Sequence, residues 1–297
     1  MNEIHLVECP RDAMQGWPYI ISTEDKISYL KTLYNVGFNT LDMGSIVSPK
    51  AIPSMADTLD VIEILEEENI IPNSNTRTLV IVANERGAEI ASKYESINDL
   101  GFPLSLSETF QQRNTRASID EAFKCLEYIQ NICVNYNKRL VVYLSMGFGN
   151  PYGEHWHPDM LTKFSKKLKD DLGVGVIALC DTVGTAQEND IKHAFLTVIS
   201  EIIDVEFGAH LHLKLTDGIR KIEAAFDGGC KRFDGAIMGI GGCPMAQDNL
   251  VGNAPTEKMV ELFINKGLWE PKHSKVWSQA QSQATEIFLD LNPKSDK

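Results

Sequence analysis

Short apolar runs alternate with amphipathic stretches along the whole chain. Eight of the runs have the length of a buried strand, and they lie at 4–8, 38–43, 78–83, 103–107, 139–146, 174–180, 206–212 and 232–237. The stretches between and after them repeat their apolar residues with the period of a helix, over 24–36, 57–68, 86–97, 118–136, 158–171, 187–202, 217–228 and 256–267. The pattern therefore predicts eight consecutive strand–helix units.

The repeated strand–helix order predicts an α/β fold in which a parallel sheet carries its helices on the outside. Eight such units in 297 residues favour closure into a (β/α)8 TIM barrel. A doubly wound open sheet is the alternative, but residues 8–23, after the first strand, lack the glycine-rich dinucleotide-binding pattern. Beyond the barrel, residues 275–290 are predicted to form an additional C-terminal helix. We expect one domain over 1–297, with the barrel at about 4–267 and a helical extension at about 268–297.

The charge balance narrows the range of partners. The chain has 28 Lys and Arg against 41 Asp and Glu, a formal net charge of −13. Binding to a phosphate backbone needs the opposite field, so we predict no nucleic-acid partner, although a local basic cluster would still accept an anionic substrate. No apolar run reaches the roughly 18 residues of a membrane span, and the N-terminus lacks a signal-peptide pattern. Six cysteines in no paired spacing predict reduced thiols, so we expect a cytoplasmic protein with no membrane partner.

His210 and His212 form the most informative short pattern in the sequence. Side chains alternate along a strand, so two histidines separated by one residue face the same side and can bind one cation together. Catalytic groups of a (β/α)8 barrel lie at the carboxyl ends of its strands, and each predicted strand here leads into polar residues. Two imidazoles, a carboxylate and an amide oxygen suit Mg²⁺ or Mn²⁺, with Zn²⁺ or Co²⁺ as alternatives. Cys243 follows the glycine-rich segment 239–242 and adds a thiol.

Each of these features also has a purely structural explanation. A His-x-His pair on a strand often serves packing alone, and the neighbours Arg11 and Asp12 are also compatible with a surface ion pair. Cys243 is compatible with an inert thiol, and Asp42 and Asp181 with turn residues at strand ends. Their convergence at the ends of the predicted strands favours a functional site.

Several longer segments resemble the hydroxymethylglutaryl-CoA lyases, from about residue 5 to about residue 265. The segments are 10–15 (PRDAMQ), 45–50 (SIVSPK) with 53–57 (PSMAD), 107–110 (SETF) with Asn114, 148–152 (FGNPY), 181–184 (DTVG) and 241–244 (GGCP). The resemblance implies a metal-dependent (β/α)8 barrel that cleaves 3-hydroxy-3-methylglutaryl-CoA into acetyl-CoA and acetoacetate. It also implies an acyl-CoA substrate and a homodimer.

Carried over to this sequence, the resemblance implies a role for each candidate residue. The implied metal ligands are Asp12, His210, His212 and Asn253. The implied catalytic positions are Arg11, Asp42, Asp181 and Cys243. The implied substrate-binding positions are Gln15 and Ser45. Arg11 would hold the thioester carbonyl and stabilise the enolate that forms from it.

The sequence departs from the family pattern at several of these segments. Glu8-Cys9 precede Pro10 where the family has a Val-Gly pair and one residue more, Asp42 replaces a Glu, and Leu213 replaces an Asp. The segment 243–253 is one residue longer than usual. The metal set survives these changes, so they bear on the substrate. The alternatives are a lyase or aldolase for another 3-hydroxyacyl-CoA or hydroxy acid, an acyl-CoA-condensing synthase, and a non-catalytic metabolite-binding barrel.

Overall fold

The computed structural model describes residues 4–214, 219–242 and 251–289. The described strands are β1 (His5–Glu8), β2 (Thr40–Ile46), β3 (Arg77–Val82), β4 (Asp99–Ser105), β5 (Arg139–Ser145), β6 (Val176–Asp181), β7 (Glu206–Leu213), β8 (Arg232–Gly235) and β9 (Gly252–Asn253). The described α-helices are α1 (Pro10–Gln15), α2 (Thr23–Val36), α3 (Thr58–Glu67), α4 (Glu85–Ser92), α5 (Glu108–Thr115), α6 (Ile119–Asn135), α7 (Asp159–Leu172), α8 (Glu188–Glu201), α9 (Arg220–Asp227), α10 (Thr256–Asn265) and α11 (Ser274–Leu289).

Strands β1 to β8 close into a parallel barrel. Each strand pairs with the next along the chain, and β8 pairs with β1, as in the register of His5 with Arg232. The helices between the strands pack their apolar faces outside this sheet, while a smaller set of side chains fills the lumen. That lumen cluster consists of Leu79, Val141, Tyr143, Val176, Ala178 and Cys180. The predicted (β/α)8 barrel is confirmed.

Strand β9 lies outside the barrel and pairs antiparallel with the end of β7. Its two residues pair Asn253 with His212 and Gly252 with Leu213. A pairing this short has no recognisable sequence pattern, yet it places Asn253 directly beside the second histidine.

The fourth strand begins earlier than its apolar run suggests. The predicted strand 103–107 is β4, which runs from Asp99 to Ser105 and includes Gly101 and Pro103. Glycine and proline usually interrupt strands. A Cβ at Gly101 would lie 2.5 Å from Ile81 Cδ1, so a larger residue here would displace the Ile81 side chain. The short helices α1 and α5 were also absent from the predicted pattern, because six to eight residues are too few to establish a helical period.

The C-terminal helix α11 confirms the prediction for 275–290 and braces the barrel from one end to the other. Near its start, Trp277 contacts Phe38 edge-on, with 6.0 Å between ring centroids. Near its end, Phe288 contacts Trp17 in the loop after α1, at 5.4 Å. The loop that follows Arg11 and Asp12 is therefore anchored to this helix.

Charged residues close the barrel at the amino ends of its strands. This basal charge layer consists of the first residues of six strands: His5, Arg77, Asp99, Arg139, Glu206 and Arg232. The buried Asp99 carboxylate accepts hydrogen bonds from Arg77 Nε at 3.0 Å and from Arg139 Nη2 at 2.8 Å. Glu206 binds Arg139 at 3.2 Å and His5 at 2.8 Å. Three neighbouring strands are thereby linked at their beginnings through Asp99.

Replacing Asp99 by asparagine is expected to destabilise the barrel without affecting its mouth. Removing the carboxylate leaves Arg77 and Arg139 without their buried partner. Because both arginines are partly exposed, we expect the free energy of unfolding to fall by about 3 kcal/mol, the lower end of the usual cost of breaking a buried ion pair. Chemical denaturation would measure the loss in the free energy of unfolding. An unchanged free energy of unfolding would show that the layer contributes no stability.

Candidate active site

Helix α1 delivers Arg11 and Asp12 to the barrel mouth. Only Cys9 separates it from β1. Pro10 occupies its first position, where the backbone N–H has no partner within the helix and its absence in proline costs nothing. Both side chains are buried although both are charged. Buried charged side chains are stable where they are ion-paired or bind an ion, so Arg11 and Asp12 are candidates for binding a charged ligand or a metal ion.

The side chains of Asp12, His210 and His212 meet at one point. Each offers a ligand atom, and the three atoms all lie within 4.8 Å of one another. The two histidines face the same side because they alternate along β7 with Leu211, which is buried in the apolar core. The arrangement predicted from His-x-His and the Pro10–Gln15 segment is present.

The His212 ring is prepared to act as a ligand. Its Nδ1 lies 2.9 Å from the Thr182 carbonyl oxygen, so Nδ1 carries the proton and donates it. Its Nε2 is buried and has no hydrogen-bond partner among the described residues. Burial, with the neighbouring His210, lowers the pKa of His212 to about 4, which keeps the ring neutral at neutral pH. A buried nitrogen lone pair without a partner is what a metal ion requires.

Asn253 and Asp12 are bound to each other. The Asn253 side-chain amide donates hydrogen bonds from Nδ2 to Asp12 Oδ2 at 2.8 Å and to the Ile240 carbonyl at 2.9 Å. These bonds use only Nδ2, so the side-chain oxygen Oδ1 can still bind a metal ion. Burial tends to raise the pKa of Asp12, but the charge of Arg11 outweighs it and, with the imidazoles, holds the pKa at about 2. An ionised carboxylate, two imidazole nitrogens and an amide oxygen together fit a divalent cation.

Arg11 is fixed by a second carboxylate. Its Nε lies 3.1 Å from both oxygens of Asp42, and Nη2 donates to Asp42 Oδ2 as well. Its Nη1 donates to Asp12 at 3.0 Å and to Gln15 Oε1 at 3.2 Å. Burial opposes the charge, but Asp42 and Asp12 raise the pKa of Arg11, so the guanidinium stays charged. Burial also raises the pKa of Asp42.

Ser45 and Asp181 lie at strand ends near this centre, in different environments. Ser45 Oγ is buried and has no hydrogen-bond partner within the described parts of the chain, so it is available to a ligand. The Asp181 carboxylate accepts the backbone N–H groups of Thr185 at 3.0 Å and Ala186 at 3.1 Å, and Lys221 Nζ lies 3.1 Å away. Asp181 therefore organises the loop after β6, whose Thr182 carbonyl holds His212.

The glycine-rich segment packs directly on Asp12 and Asn253. A Cβ at Gly241, whose φ is +100°, would lie 2.6 Å from Asn253 Nδ2 and 2.8 Å from the Asp12 carbonyl oxygen. Only glycine allows this approach and this backbone conformation. Cys243, predicted as the catalytic thiol, lies outside the described residues.

Two buried residues of the site were not predicted from the sequence. Asp234 on β8 lies beside His210, with its Oδ2 3.3 Å from His210 Nδ1. Glu8 accepts hydrogen bonds from Ile237 N–H at 2.9 Å and from the Thr256 hydroxyl, which ties the end of β1 to the segment before the glycines. Both are acidic residues inside predicted strands. Side chains alternate along β8, so Asp234 is expected on the opposite face of the strand from Phe233, and this alternation was the available signal for it.

None of the described helices has the length and apolar character that crossing a bilayer requires.

Comparison with known proteins places this chain in a family. The sequence model described as HMGL-like matches residues 4–282. The hydroxymethylglutaryl-CoA lyase of Bacillus subtilis is 30% identical over 254 residues, covering 86% of this chain and 82% of that protein. The (R)-citramalyl-CoA lyase of Chloroflexus aurantiacus is 27% identical over 277 residues, covering 90% and 86%.

Solved structures agree with the sequence comparison. The crystal structure of the Bacillus subtilis HMG-CoA lyase superposes with a TM-score of 0.87 at 28% identity, covering 99% of this chain and 97% of that one. An HMG-CoA lyase from Acinetobacter baumannii, in complex with coenzyme A and 3-methylmalate, gives 0.86 at 25% identity, covering 100% and 97%. The chain therefore belongs to the HMGL-like family and is an enzyme of the hydroxymethylglutaryl-CoA lyase type.

Proposed function

We propose that this protein is a divalent-metal-dependent carbon–carbon lyase that cleaves 3-hydroxy-3-methylglutaryl-CoA to acetyl-CoA and acetoacetate. The observation that carries the proposal is the convergence of Asp12, His210 and His212 within 4.8 Å, next to a buried arginine. Asn253 is proposed as the fourth ligand. The oxygen-rich set favours Mg²⁺ or Mn²⁺ over Zn²⁺ or Co²⁺.

The reaction has two chemical requirements. Cleavage beside a tertiary alcohol needs the hydroxyl proton to leave, and the electron pair of the broken bond needs a place to go. A divalent cation, which Asp12, His210 and His212 would hold, would make the hydroxyl proton easier to lose and would orient the bond to be broken. We assign the removal of that proton to Asp42, directly or through a water, because burial raises its pKa and so makes it a stronger base.

Arg11 meets the second requirement. The electron pair passes into the thioester and forms an enolate, whose negative charge develops on the former carbonyl oxygen. A guanidinium already held in place by Asp42 stabilises that charge without having to reorganise. The enolate then takes a proton to become acetyl-CoA, and Cys243 or a water is proposed to supply it. Gln15 and Ser45 are proposed to contact the substrate, and Asp181 to act through the Thr182 loop.

A related substrate is the second candidate. One relative that matches over 90% of this chain is a citramalyl-CoA lyase, and one solved neighbour holds 3-methylmalate with coenzyme A. Citramalyl-CoA and hydroxymethylglutaryl-CoA share the thioester and the tertiary alcohol but differ by one methylene before the free carboxylate. The same bond-breaking chemistry serves both, so the acyl pocket decides between them. A methylene in such a pocket is worth about 10- to 200-fold in kcat/KM.

Assay of the purified full-length protein with a panel of thioesters tests the proposal. With Mg²⁺ or Mn²⁺ we expect acetyl-CoA from hydroxymethylglutaryl-CoA at the highest kcat/KM in the panel, and none in the presence of EDTA. A higher kcat/KM for citramalyl-CoA would transfer the function to the second candidate. Metal binding without turnover of any 3-hydroxyacyl-CoA or free hydroxy acid would overturn the lyase and favour a metabolite-binding barrel.

The remaining assignments rest on the family resemblance. We propose a homodimer in the cytoplasm, acting on an acyl-CoA, in which residues 1–297 form one domain. Light scattering on the purified protein would give about twice the 33.1 kDa of one chain if the dimer forms.

A further inference from the structure

Asp234 lies beneath the metal centre, inside the barrel. Strand β8 pairs with β7 in a register that places Asp234 opposite His210. The Asp234 side chain is fully buried, and its Oδ2 lies 3.3 Å from His210 Nδ1. The carboxylate therefore approaches the Nδ1 atom of the His210 ring.

A carboxylate in this position needs compensation for its charge. Its other oxygen, Oδ1, has no hydrogen-bond partner among the described residues and lies 3.8 Å from Arg232 Nε. Arg232 is itself fully buried, and it passes over Gly208, where a Cβ would lie 2.9 Å from Arg232 Cδ. Burying a carboxylate is costly unless it is paired and hydrogen-bonded. Among the described residues, the His210 ring hydrogen-bonds Oδ2, and the Arg232 guanidinium lies in ion-pair range of Oδ1.

The two histidines are held in different ways. His212 donates from Nδ1 to a backbone carbonyl, that of Thr182, at 2.9 Å. His210 instead faces the Asp234 carboxyl group at the same ring position. A carboxylate behind a histidine fixes its tautomer and ring orientation and makes the opposite nitrogen a better electron donor.

We propose that Asp234 is a positioning residue that holds the Nδ1–H form of His210 and directs its Nε2 toward Asp12 and His212. The inference rests on the proposed use of a divalent cation at this centre. Arg232 balances the carboxylate from below and connects it, through the hydrogen bond of Arg232 Nη1 with His5 at 3.1 Å, to the basal charge layer. Asp234 acts through His210 and does not contact the substrate.

Mn²⁺ binding, measured by electron paramagnetic resonance on the full-length protein, tests the proposal without using activity. In Asp234→Asn we expect the Kd for Mn²⁺ to rise by about 10- to 100-fold, the usual effect of losing such a partner. Asp99→Asn is the matched control, because it also removes a fully buried carboxylate that pairs with arginine, at the far end of the barrel. Its Kd should equal that of the unmodified protein.

The outcomes separate this inference from the proposed function. An unchanged Kd in Asp234→Asn, or an equal loss in both variants, would overturn the positioning role alone. Absence of Mn²⁺ binding by the unmodified protein would overturn the metal-dependent function and the positioning role with it.

A measurement on the unmodified protein covers the case in which Asp234→Asn does not fold. With ¹⁵N-labelled histidine and bound Zn²⁺, we expect His210 to keep its proton on Nδ1 and to bind the metal through Nε2. A proton on Nε2 would contradict the proposal.

Discussion

Replacing Arg11 by glutamine is expected to lower kcat by about 100- to 1,000-fold, with a much smaller change in KM, since removing one preorganised donor to a developing oxyanion has this effect. The charge that Arg11 offsets exists on the enolate and not on the bound thioester, so the loss falls on the transition state. Steady-state kinetics with hydroxymethylglutaryl-CoA would measure it.

Arg77→Gln is the matched control for Arg11→Gln. Arg77 also binds an aspartate through two of its nitrogens, but it does so in the basal charge layer, away from the mouth. We expect it to lower the thermal midpoint and leave kcat unchanged. Near-normal turnover in Arg11→Gln would refute its role in stabilising the enolate.

Replacing Asp12 by asparagine is expected to weaken Mn²⁺ binding by more than about 100-fold, beyond the range typical of residues that only support a ligand. Asp12 is the one carboxylate in the proposed ligand set, and Arg11 holds its pKa at about 2, so it supplies a full negative charge at neutral pH. Activity should fall in parallel and should recover in part at high Mn²⁺ concentration. Isothermal titration and the lyase assay together would measure both effects.

Asp57→Asn controls for the loss of an ion-paired aspartate outside the site. Asp57 binds Lys26 at 2.6 Å between α2 and α3, so its replacement should leave the Kd for Mn²⁺ unchanged. If Asp12→Asn bound Mn²⁺ as tightly as the unmodified protein, Asp12 would not be a ligand.

The barrel and the histidine pair could be predicted because their patterns are local and repeated. Buried parallel strands are continuous apolar runs, and the chain supplies eight of them at regular spacing. His210 and His212 face the same side whenever their segment is a strand, so this prediction required no knowledge of long-range contacts.

Features set by contacts between distant residues could not be predicted in this way. Asn253 reaches His212 through a two-residue antiparallel pairing, which no periodicity reveals. Asp99 and Arg139 appear in the sequence as polar residues that begin strands, and the register of β4 with β5, which places them opposite each other, makes them an ion pair. The family pattern implies a catalytic position for Asp181, but its hydrogen bonds from Thr185 and Ala186 are visible only in the folded loop.

Asp234 illustrates the same limit at the site itself. The sequence around Asp234 does not reveal its contact with His210, because His210 lies 24 residues earlier in the chain. The register between β7 and β8 brings the two together, and that register is a property of the closed sheet.

Anomalous diffraction from crystals of the Mn²⁺-loaded protein tests the central claim most directly. One anomalous peak should lie about 2.0–2.3 Å from the Asp12 carboxylate, both imidazoles and the Asn253 carbonyl oxygen, as expected for directly bound nitrogen and oxygen ligands. A peak elsewhere in the protein, with these four side chains bound to no metal, would contradict it.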